Sequence, residues 1–395
     1  MSNYQSQKNA EIEWIREFSQ SNNITISTYS IDKKFQIMKE LKSEVIKQLK
    51  NSITLIHPLQ NSYFGKKVSY RYQRQDFRIE DTSQLEIFYP GLKSEQHVQG
   101  YFTQSGQAAT LGLFHHLKKT YPKLSIRLIS PKIYFETLRV FEGLSIPQDK
   151  KSKIGFIDSC TSTTHPMEYL EGKNLKQLIV DTTTWGLSSE EIQSIINWAR
   201  DHQVVLYLIR SYIKLDCLGG EYGLLGSIVK LNSHISPEEN KTFLETLSYC
   251  GSLAIHENIY PFLWDKKFLD LASKRVERIR SNTRYLVNEL GPYLQSINPL
   301  IRVTCYQHEL YFGVYYPKKD DLMPEIFLKL SILHQIPSRF CDSFGFDFPS
   351  LTNVLSIYEK SQESALRFCP GDNEDIKENL LKLLKDYFAV FFREI

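Results

Sequence analysis

The chain has 395 residues, 42% of them hydrophobic and 24% charged, with a formal net charge of +3. That length holds a large core and two domains, and the balance is that of an ordinary globular protein. Charges of both signs are interspersed and no apolar run nears the roughly 20 residues of a membrane span, so the sequence predicts a cytoplasmic protein with no nucleic-acid or membrane surface.

Residues 1–65 read as a polar N-terminal arm with helical stretches over 10–20 and 33–50. The second carries an apolar stripe of Phe35, Met38, Leu41 and Val45, which suits packing on a partner subunit. Residues 66–264 alternate short apolar strands (124–129, 154–157, 178–180, 204–209, 225–229) with helices (108–119, 189–202). That rhythm predicts an α/β fold, a mostly parallel sheet covered on both faces. The polar stretch 230–241, with Pro237 inside it, reads as a surface loop. Residues 265–395 form a long linking helix over about 265–290 and a small α+β domain with strands at 301–305 and 310–316 and a last helix over 375–392. The six cysteines are scattered without a C-x-x-C pair, so neither a metal site nor a disulfide framework is expected.

In such a sheet, ligands bind at the carboxyl ends of the strands, where Asp158, Asp181 and Lys214 fall. Lys214 follows the apolar run 204–209 in Arg210-Ser211-Tyr212-Ile213-Lys214. An amine delivered there, outside any helical pattern, is badly placed as a solvated charge. An acid and an amine at two neighbouring strand ends suit pyridoxal 5'-phosphate (PLP): the carboxylate keeps the pyridine nitrogen protonated, and the lysine holds the aldehyde as a Schiff base. Loop-mouth salt bridges use the same residue types. Ser105, Gly106 and Gln107 precede an apolar helix, and small residues there let a phosphate reach backbone N–H groups. Tyr134, after a strand and a turn, is placed to stack on a ring or to pack on the core. His115 and His116 are adjacent and do not make a one-face metal pair. Ser159, Cys160 and His165 lack any nucleophile signature, and Trp185 and Trp198 read as core.

Taken in order, these pieces resemble fold-type I PLP enzymes, most closely the cysteine/methionine metabolism family of cystathionine γ-synthases and methionine γ-lyases. Tyr72-Gln73-Arg74 looks like that family's Tyr-x-Arg, Ser105-Gly106-Gln107 like its phosphate-binding turn, and Tyr134 to Thr137 like its ring-stacking segment. Val180-Asp181-Thr182-Thr183 is similar to its cofactor-aspartate strand, and Ser211-x-x-Lys214 to its Schiff-base segment. Arg367-Phe368-Cys369-Pro370-Gly371 resembles the segment whose arginine clamps the substrate carboxylate. The resemblance implies a three-layer, mostly parallel sheet of the aspartate-aminotransferase type. It also implies PLP held by Ser105, Gly106, Gln107, Tyr134, Asp181, Ser211 and Lys214, with Tyr72 and Arg74 serving a neighbouring subunit of a homodimer or tetramer. Lys214 and Tyr134 are then catalytic, and Arg367 and Ser343 bind an amino-acid substrate.

Departures from the pattern matter too. Phe135 and Glu136 replace two small residues, which narrows the substrate space. Ile213 replaces a hydroxyl, and the glycine-rich run 219–226 has a leucine where aminotransferases keep a phosphate-binding arginine. The motifs favour β/γ elimination or replacement; the helix between Asp181 and Lys214 favours an aminotransferase of class I/II type. The lost phosphate ligands suit a non-catalytic binding protein that keeps the fold.

Overall fold

A computed structural model describes residues 3–19, 29–52, 59–63, 66–70, 85, 89, 92, 98–186, 189–232, 236–254, 260–317, 324–353 and 364–393. The arm is α1 (Asn3–Ser19) and α2 (Ile31–Ser52), followed by a hairpin of β1 (Leu59–Tyr63) and β2 (Lys66–Tyr70). The large domain then runs β3 (Gln99–Thr103), α3 (Gly106–Thr120), β4 (Arg127–Leu128), α4 (Phe135–Gly143), β5 (Ile154–Asp158), α5 (Pro166–Leu170), β6 (Gln177–Asp181), α6 (Glu190–Asp201), β7 (Val205–Ser211), β8 (Gly226–Leu231) and α7 (Pro237–Tyr249). The linking helix is α8 (Lys266–Ile297). The small domain has β9 (Arg302–Cys305), β10 (Phe312–Tyr316), α9 (Pro324–Leu333), β11 (Arg339–Phe340), β12 (Ser350–Asn353), β13 (Ser364–Cys369) and α10 (Lys377–Arg393).

The six strands of the large sheet stand in the order β3-β8-β7-β6-β5-β4. Strands β4 to β7 are parallel, while β8 runs antiparallel to both β7 and β3. Alternation along the strands builds three layers. Ile179 and Ile209 face a core shared with Leu113, Phe114, Phe141 and Leu247 of α3, α4 and α7. Leu178, Val180 and Leu208 face the opposite core, with Ile192, Ile195 and Ile196 of α6. The predicted three-layer, mostly parallel α/β sheet is therefore present. The small domain packs its sheet, in the order β11-β12-β13-β10-β9, against the end of α8 and against α10.

Two expectations change. The stretch 230–241 is not a loop throughout, because α7 starts inside it: Ser236 and Glu239 form a reciprocal capping box and Pro237 takes the first helical position, where its missing N–H costs nothing. The arm packs on its own chain. Ile12, Trp14, Ile37, Met38 and Leu41 belong to the core of the large domain. Beneath the arm, Lys8, Glu11 and Lys34 meet Arg275 and Arg278 of α8 and Asp347 and Asp372 of the small domain. Lys8 reaches Asp372 at 2.5 Å, Lys34 reaches Asp347 at 2.8 Å, and Arg278 reaches Glu11 at 3.0 Å. Buried charges persist only when paired and hydrogen-bonded, so this cluster fixes the arm, the linking helix and the small domain together.

Candidate active site

The carboxyl end of the sheet gathers the predicted acids and amine. Asp158 and Asp181 are the last residues of β5 and β6 and lie opposite each other in the ladder. Asp158 accepts the backbone N–H groups of Tyr134 and Cys160, which seats the start of α4 against the sheet. Burial, with Asp181 next to it, raises the Asp158 carboxyl to about 7. Burial raises Asp181 as well, against the opposing effect of the hydrogen bonds from Thr183.

Lys214 stands in the turn after β7. Its Nζ donates to Ser343 Oγ at 2.6 Å and lies 5.2 Å from the Phe344 ring centroid. Among the described residues it has no carboxylate partner. Burial lowers its pKa, and the neighbouring Arg367 lowers it further. The loop that carries Ser343 closes on the lysine because Gly345 adopts φ +87°, where a Cβ would lie 2.2 Å from the Lys214 carbonyl oxygen. The nearby Arg210 is not free for a ligand: it pairs with Asp216 through two 2.9 Å bonds and donates to the carbonyls of Thr182 and Trp185.

Arg367, on β13, is buried. Its guanidinium lies 5.2 Å from the Tyr311 ring and 5.5 Å from that of Phe344, and it donates to the Asp342 carbonyl. Its buried Nε has no hydrogen-bond partner among the described residues. Burial raises the Tyr134 phenol despite the nearby positive charge of Arg367. Tyr134, Lys214 and Ser343 line one cavity of about 480 Å³ together with Glu136, Asp32 and Phe35. Asp32 and Phe35 come from the arm, and no local motif marked them. Ser343, expected to touch a carboxylate, accepts the hydrogen bond of the lysine.

At the other edge, Ser105 caps α3, with its Oγ accepting from Ala108 N–H at 3.0 Å. Gly106 is required there, because a Cβ would come 2.6 Å from that of Ser211. The start of α3 therefore sits directly against the end of β7. Gln107 donates to Glu136 at 2.8 Å. Tyr72 and Arg74 lie outside the described residues. Buried Trp185 and Trp198 take core positions, as expected. A larger cavity of about 630 Å³, beside α6 and α8, includes none of the predicted site residues. No helix among the described residues is long and apolar enough to cross a membrane.

No protein-family model and no curated protein matches the sequence. Solved structures do match the fold. Cystathionine gamma-lyase from yeast aligns over 85% of this chain and 93% of its own, at 12% identity and a TM-score of 0.52. An aromatic amino acid aminotransferase from Burkholderia cenocepacia aligns over 95% and 96%, at 13% identity and a TM-score of 0.50. That from Psychrobacter sp. B6 also aligns over 95% and 96%, at 14% and 0.50. Lyases and aminotransferases are matched alike, each over most of its length. The chain has the fold of the fold-type I PLP-dependent enzymes.

Proposed function

We propose that the protein is a PLP-dependent enzyme that removes the α-proton of an amino acid and so promotes elimination or replacement of a group on its β- or γ-carbon. One observation carries the reading: an amine of lowered pKa, free of any carboxylate partner among the described residues, shares a cavity with Tyr134 and adjoins a buried arginine with an unused donor.

On this reading the cofactor would be held at three points. Lys214 would bond its aldehyde, Asp181 its pyridine nitrogen, and Ser105, Gly106, Gln107 and Ser211 its phosphate. Bound there, PLP supplies a carbonyl for an amine and a conjugated ring that draws electrons from the α-carbon of an attached amino acid.

The chain's own groups then have distinct tasks. Arg367 binds the planar α-carboxylate, for which a guanidinium fork is better shaped than an ammonium. Lys214, kept neutral more readily than an ordinary lysine, takes the α-proton as a general base. Asp158 anchors Tyr134 through its backbone N–H, holding the phenol at the cavity wall. Tyr134 contributes a face for a ring and a proton for a leaving group. Ser343 parks the lysine on the small domain until the amine is engaged elsewhere.

A second reading, an aminotransferase, is favoured by α6, the full helix inserted between Asp181 and Lys214. The two separate by product. Incubation with PLP and a panel of amino acids should release a 2-oxo acid with ammonia or a thiol. A pyridoxamine spectrum that reverses only with a second oxo acid would show transamination. An absorbance band near about 420 nm that is absent, or unchanged in Lys214→Ala, would leave only a non-catalytic binding protein.

A further inference from the structure

The first turns of α3 and α4 meet at the edge of the cavity that holds Lys214. Gln107, second in α3, donates Nε2 to Oε2 of Glu136, second in α4, at 2.8 Å. Glu136 lines the cavity with Lys214 and Tyr134. Its charge is only a minor influence on Lys214 and Asp181, both of which burial chiefly perturbs. Gly106 presses this same helix start onto Ser211, so the carboxylate stands beside the place where a phosphate would meet the first amides of α3.

A phosphate monoester carries roughly −1.5 to −2 charge near neutral pH. The first turn of α3 offers it N–H groups and the positive end of the helix dipole, worth about half a unit charge. No Lys or Arg bonds to Ser105, Gly106, Gln107 or Ser211 among the described residues. A carboxylate fixed at that spot repels the phosphate and also occupies the side-chain amide of Gln107.

We propose that Glu136 is a specificity-determining residue for the cofactor: clasped to Gln107, it weakens the hold on the phosphate monoester and leaves the hold on the aldehyde and ring unchanged. This rests on the reading that PLP binds at Lys214. It implies a cofactor retained by its covalent bond and its ring more than by its phosphate, and a chain that discriminates poorly between PLP and pyridoxal.

The test is an absorbance titration of the wild-type protein and Glu136→Gln with PLP and, separately, with pyridoxal. Glutamine keeps the shape and a hydrogen-bonding partner for Gln107 while removing the charge. Because Glu136 is exposed, the expected gain is modest: PLP binds about three- to tenfold tighter to the variant, and added salt shrinks that gap. Pyridoxal affinity stays within about twofold, which also shows that the variant is folded. Equal changes for both aldehydes, or weaker PLP binding, would overturn the proposal. Borohydride reduction of the wild-type complex separates the two layers: a pyridoxyl group on Lys214 with an unchanged PLP-to-pyridoxal ratio sinks only the role of Glu136, whereas no adduct from either aldehyde sinks the cofactor reading as well.

Discussion

Lys214 Nζ donates to Ser343 Oγ across 2.6 Å and so ties the turn after β7 to the loop before β12 in the small domain. The acceptor is neutral, so the bond does not hold the amine in its charged form as a carboxylate would. A neutral hydrogen bond is worth about 1 kcal/mol, which suits a parking place. Ser343→Ala removes the resting place, so the free amine should engage the PLP aldehyde about three- to tenfold more tightly. An absorbance titration with PLP decides it; weaker PLP binding in the variant would assign Ser343 to holding the lysine in its reactive position instead.

Arg367 has two aromatic faces and a buried, unused Nε, a geometry that lysine does not reproduce. Arg367→Lys should cost on the order of a hundredfold in kcat/KM for an α-amino acid. The matching amine without a carboxylate should be indifferent to the substitution. Equal losses for both substrates would show that Arg367 serves the fold rather than the carboxylate.

The two strand-end acids make a pH prediction for the cofactor-free protein. Asp158 has a folded value of about 7 against an ordinary 3.8. Between those values the folded protein keeps a proton that the unfolded chain has released, so this group's contribution to stability falls as pH rises through that window. Asparagine has no such dependence. The melting temperature of Asp158→Asn relative to wild type should therefore climb by a few degrees from about pH 5 to pH 8. Thermal scans at matched ionic strength measure it, and a flat difference would mean that Asp158 titrates as an ordinary carboxyl.

Burial alone would raise Asp347, yet Lys34, Lys8 and Arg275 overcome that and hold it well below the usual carboxylate range. Removing one partner from a buried ion cluster leaves charges uncompensated, at a cost of about 3–5 kcal/mol. Asp347→Asn should lower the melting temperature and expose the arm to limited proteolysis before the rest of the chain unfolds. Simultaneous cleavage throughout would show that the arm is not a separately released element.

Much of this was legible in the sequence. The strands ending at Asp158 and Asp181 and the one before Lys214 announce themselves through apolar runs closed by a polar residue, and period-2 alternation puts Ile179 and Val180 on opposite faces. Lys214 and Tyr134 follow from their places after strand ends, and Arg367 from the family resemblance of its segment. Other features are set by contacts distant in sequence. Nothing near Asp32 or Phe35 says that they line a cavity with a lysine some 180 residues away, and the stripe on α2 fits a partner subunit as well as its own domain. Nothing local marks Lys8, Lys34 and Arg275 as members of the ion cluster around Asp347, which only the fold brings together. Pro237 was misleading because proline marks loops and first helical turns alike; the Ser236 and Glu239 spacing was the signal that distinguishes them.

The most direct test of the whole account is to incubate the protein with PLP, reduce with borohydride, digest, and locate the pyridoxyl group by mass spectrometry. The account predicts a single modified peptide carrying it on Lys214 and none in Lys214→Ala. Modification spread over surface lysines, or a specific adduct on any other lysine, would contradict it.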